Sequence, residues 1–169
     1  DDVISMGGTL KRLVDQNHDV HVAYETSGNI AVGDEEVIRY CEYLRDVCEK
    51  YSPDSAVKDK ANEIINYLRY EKGENGEPER KDVLFMKGRE EARHGCRYSG
   101  VKDDHVHFLD LPFYETGLVK KNDLSEADKD IVKALLLEIK PDQMFVAGDL
   151  ADPHGTHKVC LDAVLAAID

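Results

Sequence analysis

Residues 1–28 read DDVISMGGTLKRLVDQNHDVHVAYETSG, and this stretch decides the fold. Residues 6–17 have helical spacing, with Leu10, Leu13 and Val14 on one stripe behind the pair Gly7-Gly8, which is expected to open the helix. His18-Asp19 then turns the chain. Residues 20–26 alternate, placing Val20, Val22 and Tyr24 on one face of a strand.

The same alternation of elements continues outward. Residues 34–51 predict an amphipathic helix, and Asp34, Glu35 and Glu36 in its first turn suit the positive end of the helix dipole. Ser52-Pro53 ends it. Residues 54–72 predict a second helix, 73–79 an exposed loop and 81–98 a third helix. Residues 105–111 (HVHFLDL) alternate as a strand. Ser125 and Asp128 have capping-box spacing, with Asp in place of the usual Glu, and start a helix that Pro141 stops. Residues 143–147 (QMFVA) predict a short apolar strand, and a last helix runs from about His154 to Ile168. This order predicts an α/β domain, Rossmann-like and three-layered, with a mostly parallel sheet. Such a sheet normally opens on a strand, so a strand is expected ahead of Asp1. Residues 1–169 are then a single domain, truncated at both ends.

A net charge of −13 repels phosphate backbones and anionic lipid surfaces alike, which argues against nucleic-acid and membrane partners. No apolar run reaches the ~20 residues a membrane-spanning helix needs. Cys41, Cys48, Cys96 and Cys160 form no CxxC pair, and Cys41 and Cys48 share a helix face as small buried residues. Reduced thiols in a cytoplasmic protein are the simplest reading. Homo-oligomerisation stays open.

Ligands of open parallel sheets bind at the carboxyl ends of the strands. Two polar clusters are predicted there: Asp1-Asp2 ahead of Gly7-Gly8-Thr9, and the run from Gly148 to His157. In the second, Asp152 suits an N-cap and Pro153 the first helical position, which places His154 and His157 on one face of the first turn. Two imidazoles with a carboxylate are a familiar zinc set, while an isolated HxxH at a helix start is as easily a pair of solvated side chains. Asp110, at a strand end, is a further candidate to line the cleft. His105 and His107 share a strand face and read as packing or solvent-facing residues. His18, His21 and His94 show no partner by spacing. The run Met6-Gly7-Gly8-Thr9 lacks the GxGxxG spacing of a dinucleotide site.

Taken together, these stretches resemble the PIG-L/LmbE N-deacetylases, whose members read His-Pro-Asp-Asp, a Gly-Gly-Thr helix, a strand and Thr-x-Gly. FLDLPFYE and PDQMFVAGDLADPHGTH are similar to the family's later strand, substrate loop and HxxH helix. The closest likeness is to the deacetylase-like domain fused to glucosamine-6-phosphate deaminase-like proteins. The resemblance implies a zinc-dependent N-deacetylase acting on an N-acetylated sugar or amine, although another divalent metal could serve. By register Asp1 falls on the family's zinc-binding Asp, and Asp2 on an often acidic position near substrate. A one-residue slip would make Asp1 the base and Asp2 the ligand. The ligating His and the general base would lie upstream of Asp1. His157 matches the second His ligand, and His154 the catalytic histidine that faces the oxyanion or leaving amine. Thr156 stands where the family usually has Asp. Arg89 is a substrate-binding candidate, one residue out of register with the family's Arg-x-x-Glu-Ala. The alternative implied by the fusion is a non-catalytic sugar-binding or regulatory domain.

Overall fold

The computed structural model describes residues 2–28, 33–71, 79–116, 120–147, 151 and 155–168, with side chains for all of these but 2–4, 71 and 79–87. The elements, in chain order, are α1 (Asp2–Asp15), β1 (Val22–Tyr24), α2 (Asp34–Tyr51) and α3 (Ala56–Asn66), which runs into a π-helical turn (Tyr67–Glu71). There follow α4 (Glu79–Ser99), a 3-10 turn (Asp103–His105), β2 (Val106–Phe108), α5 (Glu126–Ile139) and α6 (Thr156–Ile168). This is an α/β chain with a small parallel sheet. None of the described helices is long and apolar enough to cross a membrane.

The chain divides into two compact units. The first comprises residues 1–27, 92–116 and 120–169. Its sheet pairs β1 with β2 in parallel, Val22 beside Val106 and Tyr24 beside Phe108. The ladder runs on past both strands, with Leu109 N donating to Tyr24 O and Leu111 N to Glu25 O, each at 2.9 Å. Leu10, Val22, Cys96 and Val101 form a buried cluster, against which Met6, Val14, Val20, Tyr24 and Val106 pack. The sheet therefore buries the apolar stripe of α1 and the last turns of α4.

Helix ends in this unit follow local chemistry. Asn17 adopts φ 63°, and His18 N reaches back to Leu13 O at 3.1 Å, ending α1 before the turn into β1. Gly100, at φ 86°, ends α4 in the same way, with Val101 N donating to Cys96 O at 2.9 Å and Gly100 N to Arg97 O at 3.0 Å. Ser125 and Asp128 form the expected capping box at the start of α5.

The second unit comprises residues 28–91 and 117–119. Its core is the α2–α3 pair: Val37, Ile38 and Cys41 meet Ala61, Ile64, Ile65, Tyr67 and Leu68. The Arg69–Glu42 and Lys58–Glu49 ion pairs, each at 2.8 Å, lie outside that core.

Three expectations are corrected. Residues 143–147 form no strand; Met144, Phe145 and Val146 are exposed. An apolar run becomes a strand only where an edge offers backbone partners, and no described segment pairs with it. The pair Gly7-Gly8 does not open α1, which starts at Asp2. The glycines sit inside the helix, where backbone N–H groups are already committed, so they form no anion cradle of the kind a helix start offers. A Cβ on Gly8 would meet nothing within 4 Å, so close packing does not require that glycine either. Finally, α6 starts at Thr156 rather than near His154. Gly155 precedes it at φ 69°, in the left-handed region, which is incompatible with a helix already under way.

Candidate functional site

The carboxyl ends of β1 and β2 lead into two short segments, Glu25–Ser27 and Leu109–Glu115, that lie side by side. Ser27 N donates to Glu115 Oε1 at 3.0 Å and so joins them. Asp110 lies between, at φ 47°. A non-glycine residue in that region is strained by about 1 kcal/mol or more, a feature that recurs at binding sites. The loop beyond is anchored by Asp128, which is fully buried. Its carboxylate accepts from Phe113 N at 2.9 Å and from Ser125 N at 2.8 Å. One acidic side chain thus fixes both the start of α5 and the loop that leaves the sheet.

Helix α6 approaches this edge with its first turns. Lys121 Nζ donates to Thr156 Oγ1 at 2.5 Å and lies 5.2 Å from the centre of the Tyr114 ring. One turn on, Cys160 hydrogen-bonds Glu25. His157, half-buried, precedes Cys160 by three residues and so shares its helix face. Burial pushes the Glu25 carboxyl up from an ordinary 4.5 to about 7, and the bond from Cys160 only partly opposes this. Burial, with the Glu25 charge beside it, likewise pushes the Cys160 thiol far up, so it stays protonated. Glu25 Oε2 is buried and accepts no hydrogen bond. A buried carboxylate oxygen left in this way calls for a proton or a cation.

The sequence-derived site residues distribute unevenly. His157 lies at this edge. Asp2 is the first residue of α1, its side chain outside the described residues, as are Asp1 and His154 altogether. Arg89 lies on α4 in the second unit, half-buried with its Nε enclosed. Glu25, Lys121 and Cys160 escaped the sequence reading as site residues. Glu25 was the findable one, since it directly follows an alternating strand. An open hollow of about 530 Å³ runs along α1 beside Ser5, Gly8, Thr9 and Arg12.

A second polar group lies at the opposite, amino end of the strands. Asp19, His21 and His105 hold their ligand atoms within 4.8 Å of one another. The His21 and His105 rings stack at 4.0 Å, and His21 Nδ1 hydrogen-bonds His107 Nε2 at 3.0 Å. The parallel register produces this meeting. It sets Val22 beside Val106 and therefore His21 beside His105, and His107 follows on the same face.

Whether the carboxyl edge suits a metal depends on its donors. An imidazole on α6 and a carboxylate with an unsatisfied buried oxygen are ordinary ligands or near neighbours of a divalent ion, so the residues present fit one.

Residues 1–168 match the family described as GlcNAc-PI de-N-acetylase, PIG-L. A Bacteroides thetaiotaomicron protein described as glucosamine-6-phosphate deaminase-like is 58% identical over 174 residues. The alignment covers 100% of this chain but 26% of that relative, so the chain spans about a quarter of its length. No solved structure matches. A family match over nearly the whole sequence, with a relative this close, makes the assignment plain: the chain belongs to the PIG-L family of deacetylase-type hydrolases.

Proposed function

We propose that this chain is a metal-dependent N-deacetylase domain that hydrolyses the N-acetyl group of an amino sugar, with zinc the preferred ion. The observation that carries the reading is the buried Glu25 carboxyl with its unsatisfied oxygen, beside the α6 face that presents His157, at the carboxyl edge of a parallel sheet. Family membership supplies the reaction class.

His157 and Asp1 would hold the ion, together with a histidine ahead of Asp1. When bound, the ion lowers the pKa of water and polarises the acetyl carbonyl. His154 would face the oxygen on which charge develops. Glu25, near 7, holds a proton at its carboxyl in one half of the population and accepts one in the other. That suits transfer to a leaving amine at neutral pH. Lys121, fixed on Thr156, brings a positive charge to the same edge and suits an anionic substrate group. Asp2 is assigned to substrate hydroxyls. The relative's description names glucosamine 6-phosphate, the product of deacetylating N-acetylglucosamine 6-phosphate, and we take the latter as the first substrate to test.

The domain is assigned as a Rossmann-like three-layer unit whose sheet extends beyond β1 and β2. The parallel pairing of β1 with β2, which lie far apart in sequence with helices between them, supports this.

A second reading follows from the quarter of the relative that the chain spans: a non-catalytic sugar-binding domain attached to another activity. Acetate release from N-acetylglucosamine and its 6-phosphate, by the full-length protein and by His157→Ala, separates the two. The enzyme reading expects turnover in the first and at least a ~100-fold loss in the second. Sugar binding without acetate release in the unmutated protein favours the second reading.

A further inference from the structure

The amino-edge histidine cluster is not used by the carboxyl-edge chemistry. It lies at the starts of β1 and β2, whereas Glu25 and Cys160 meet at the ends. We propose that Asp19, His21 and His105 form a second, structural site for a divalent transition ion of the zinc class, with His107 as a positioning residue.

The geometry supports three points of attachment. Asp19 Oδ1 lies 3.3 Å from His105 Nδ1, and Asp19 Oδ2 lies 3.7 Å from His21 Nε2. Ligands at ~2.0–2.1 Å around a tetrahedral ion are separated by roughly 3.3 Å, so the two carboxylate–imidazole spacings are near that value, and ligand atoms within 4.8 Å of one another would draw together around the ion. His21 Nδ1 is engaged by His107 Nε2 at 3.0 Å. With Nδ1 as donor, the lone pair of His21 resides on Nε2, the nitrogen facing Asp19. In that tautomer His107 acts as outer partners of metal-bound histidines do, orienting the ring for ligation. The Val20 carbonyl lies 3.2 Å from His105 Nδ1 and accepts a hydrogen bond from it in the metal-free protein. Ligation through Nδ1 would take the other neutral tautomer, with the proton on Nε2, so the proton changes nitrogen and the ring stays neutral.

The chemistry selects the ion. Two imidazoles and one carboxylate suit zinc, nickel or copper and disfavour calcium or magnesium, which take oxygen ligands. A bound ion would tie the entries of β1 and β2 together, where the strands are only three residues long.

The proposal does not rest on the deacetylase reading, and its test is run in a background that removes His157. The full-length His157→Ala protein is titrated with Zn(II) alone and its Tm followed. It is compared with the same protein carrying Asp19→Asn or His105→Asn. Asp19 is exposed, so Asp19→Asn carries the test if His105→Asn fails to fold. The expected result is zinc binding and a zinc-induced rise in Tm in the parent. In each folded double variant, affinity falls at least about tenfold and the rise disappears. Adding His107→Phe weakens binding while leaving a measurable site. No zinc-induced change in the parent, or less than a tenfold loss in Asp19→Asn, overturns the proposal.

Discussion

Glu25→Gln isolates the burial of the carboxyl at the end of β1. The native carboxyl titrates near 7 against an ordinary 4.5. Each tenfold change in proton affinity is about 1.4 kcal/mol, so the ionised form destabilises the fold by up to about 3 kcal/mol. Between those values the native state binds more protons than the unfolded state, so stability falls as pH rises through the window and levels off above 7. Gln has the same size and stays neutral, so the variant escapes that loss. Urea unfolding of both proteins at pH 5 and pH 8.5, with chelator present to exclude metal binding, reads the difference. Other titrating groups cancel in the comparison. The advantage of Glu25→Gln over the parent should grow by roughly 2 kcal/mol between the two pH values. A difference that stays constant within about 0.5 kcal/mol would refute the claim that burial raises the Glu25 carboxyl toward 7.

Other perturbations probe the frame around the site. Asp128→Ala leaves Phe113 N and Ser125 N without their acceptor in a buried setting, and should cost about 3 kcal/mol in urea unfolding. Gly100→Ala forces a side chain into φ 86° and brings its Cβ 3.0 Å from Val14 Cγ1; a loss of about 1–2 kcal/mol, read as a lower Tm, is expected.

Local chemistry was legible in the sequence wherever it acts within a few residues. The α2 boundaries, Asp34–Tyr51, follow from acids at one end and Ser52-Pro53 at the other, and the Ser125–Asp128 box follows from spacing alone. The run at 143–147 misled because apolar content reports a preference for burial, whereas a strand also needs a neighbour's backbone. The start of α6 misled because an N-cap and proline pattern outweighed Gly155, whose left-handed conformation places the helix start at Thr156.

The site shows the same division. His157 and the HxxH pattern stand in four consecutive residues and are readable by eye. Glu25 and Cys160 lie far apart in sequence and meet only because α6 crosses the end of β1. The histidine cluster required the parallel register of β1 and β2, which nothing in either strand's own sequence specifies. His105 and His107 accordingly read as ordinary packing residues until His21 was set beside them.

The central claim is metal-dependent deacetylation at the His157 edge. Its most direct test follows acetate release from N-acetylglucosamine 6-phosphate by the full-length protein after chelator treatment, and again after one equivalent of zinc is restored. The account predicts loss of acetate release on chelation and recovery with zinc. Acetate release unchanged by chelation, from a preparation shown to hold no metal, would contradict it.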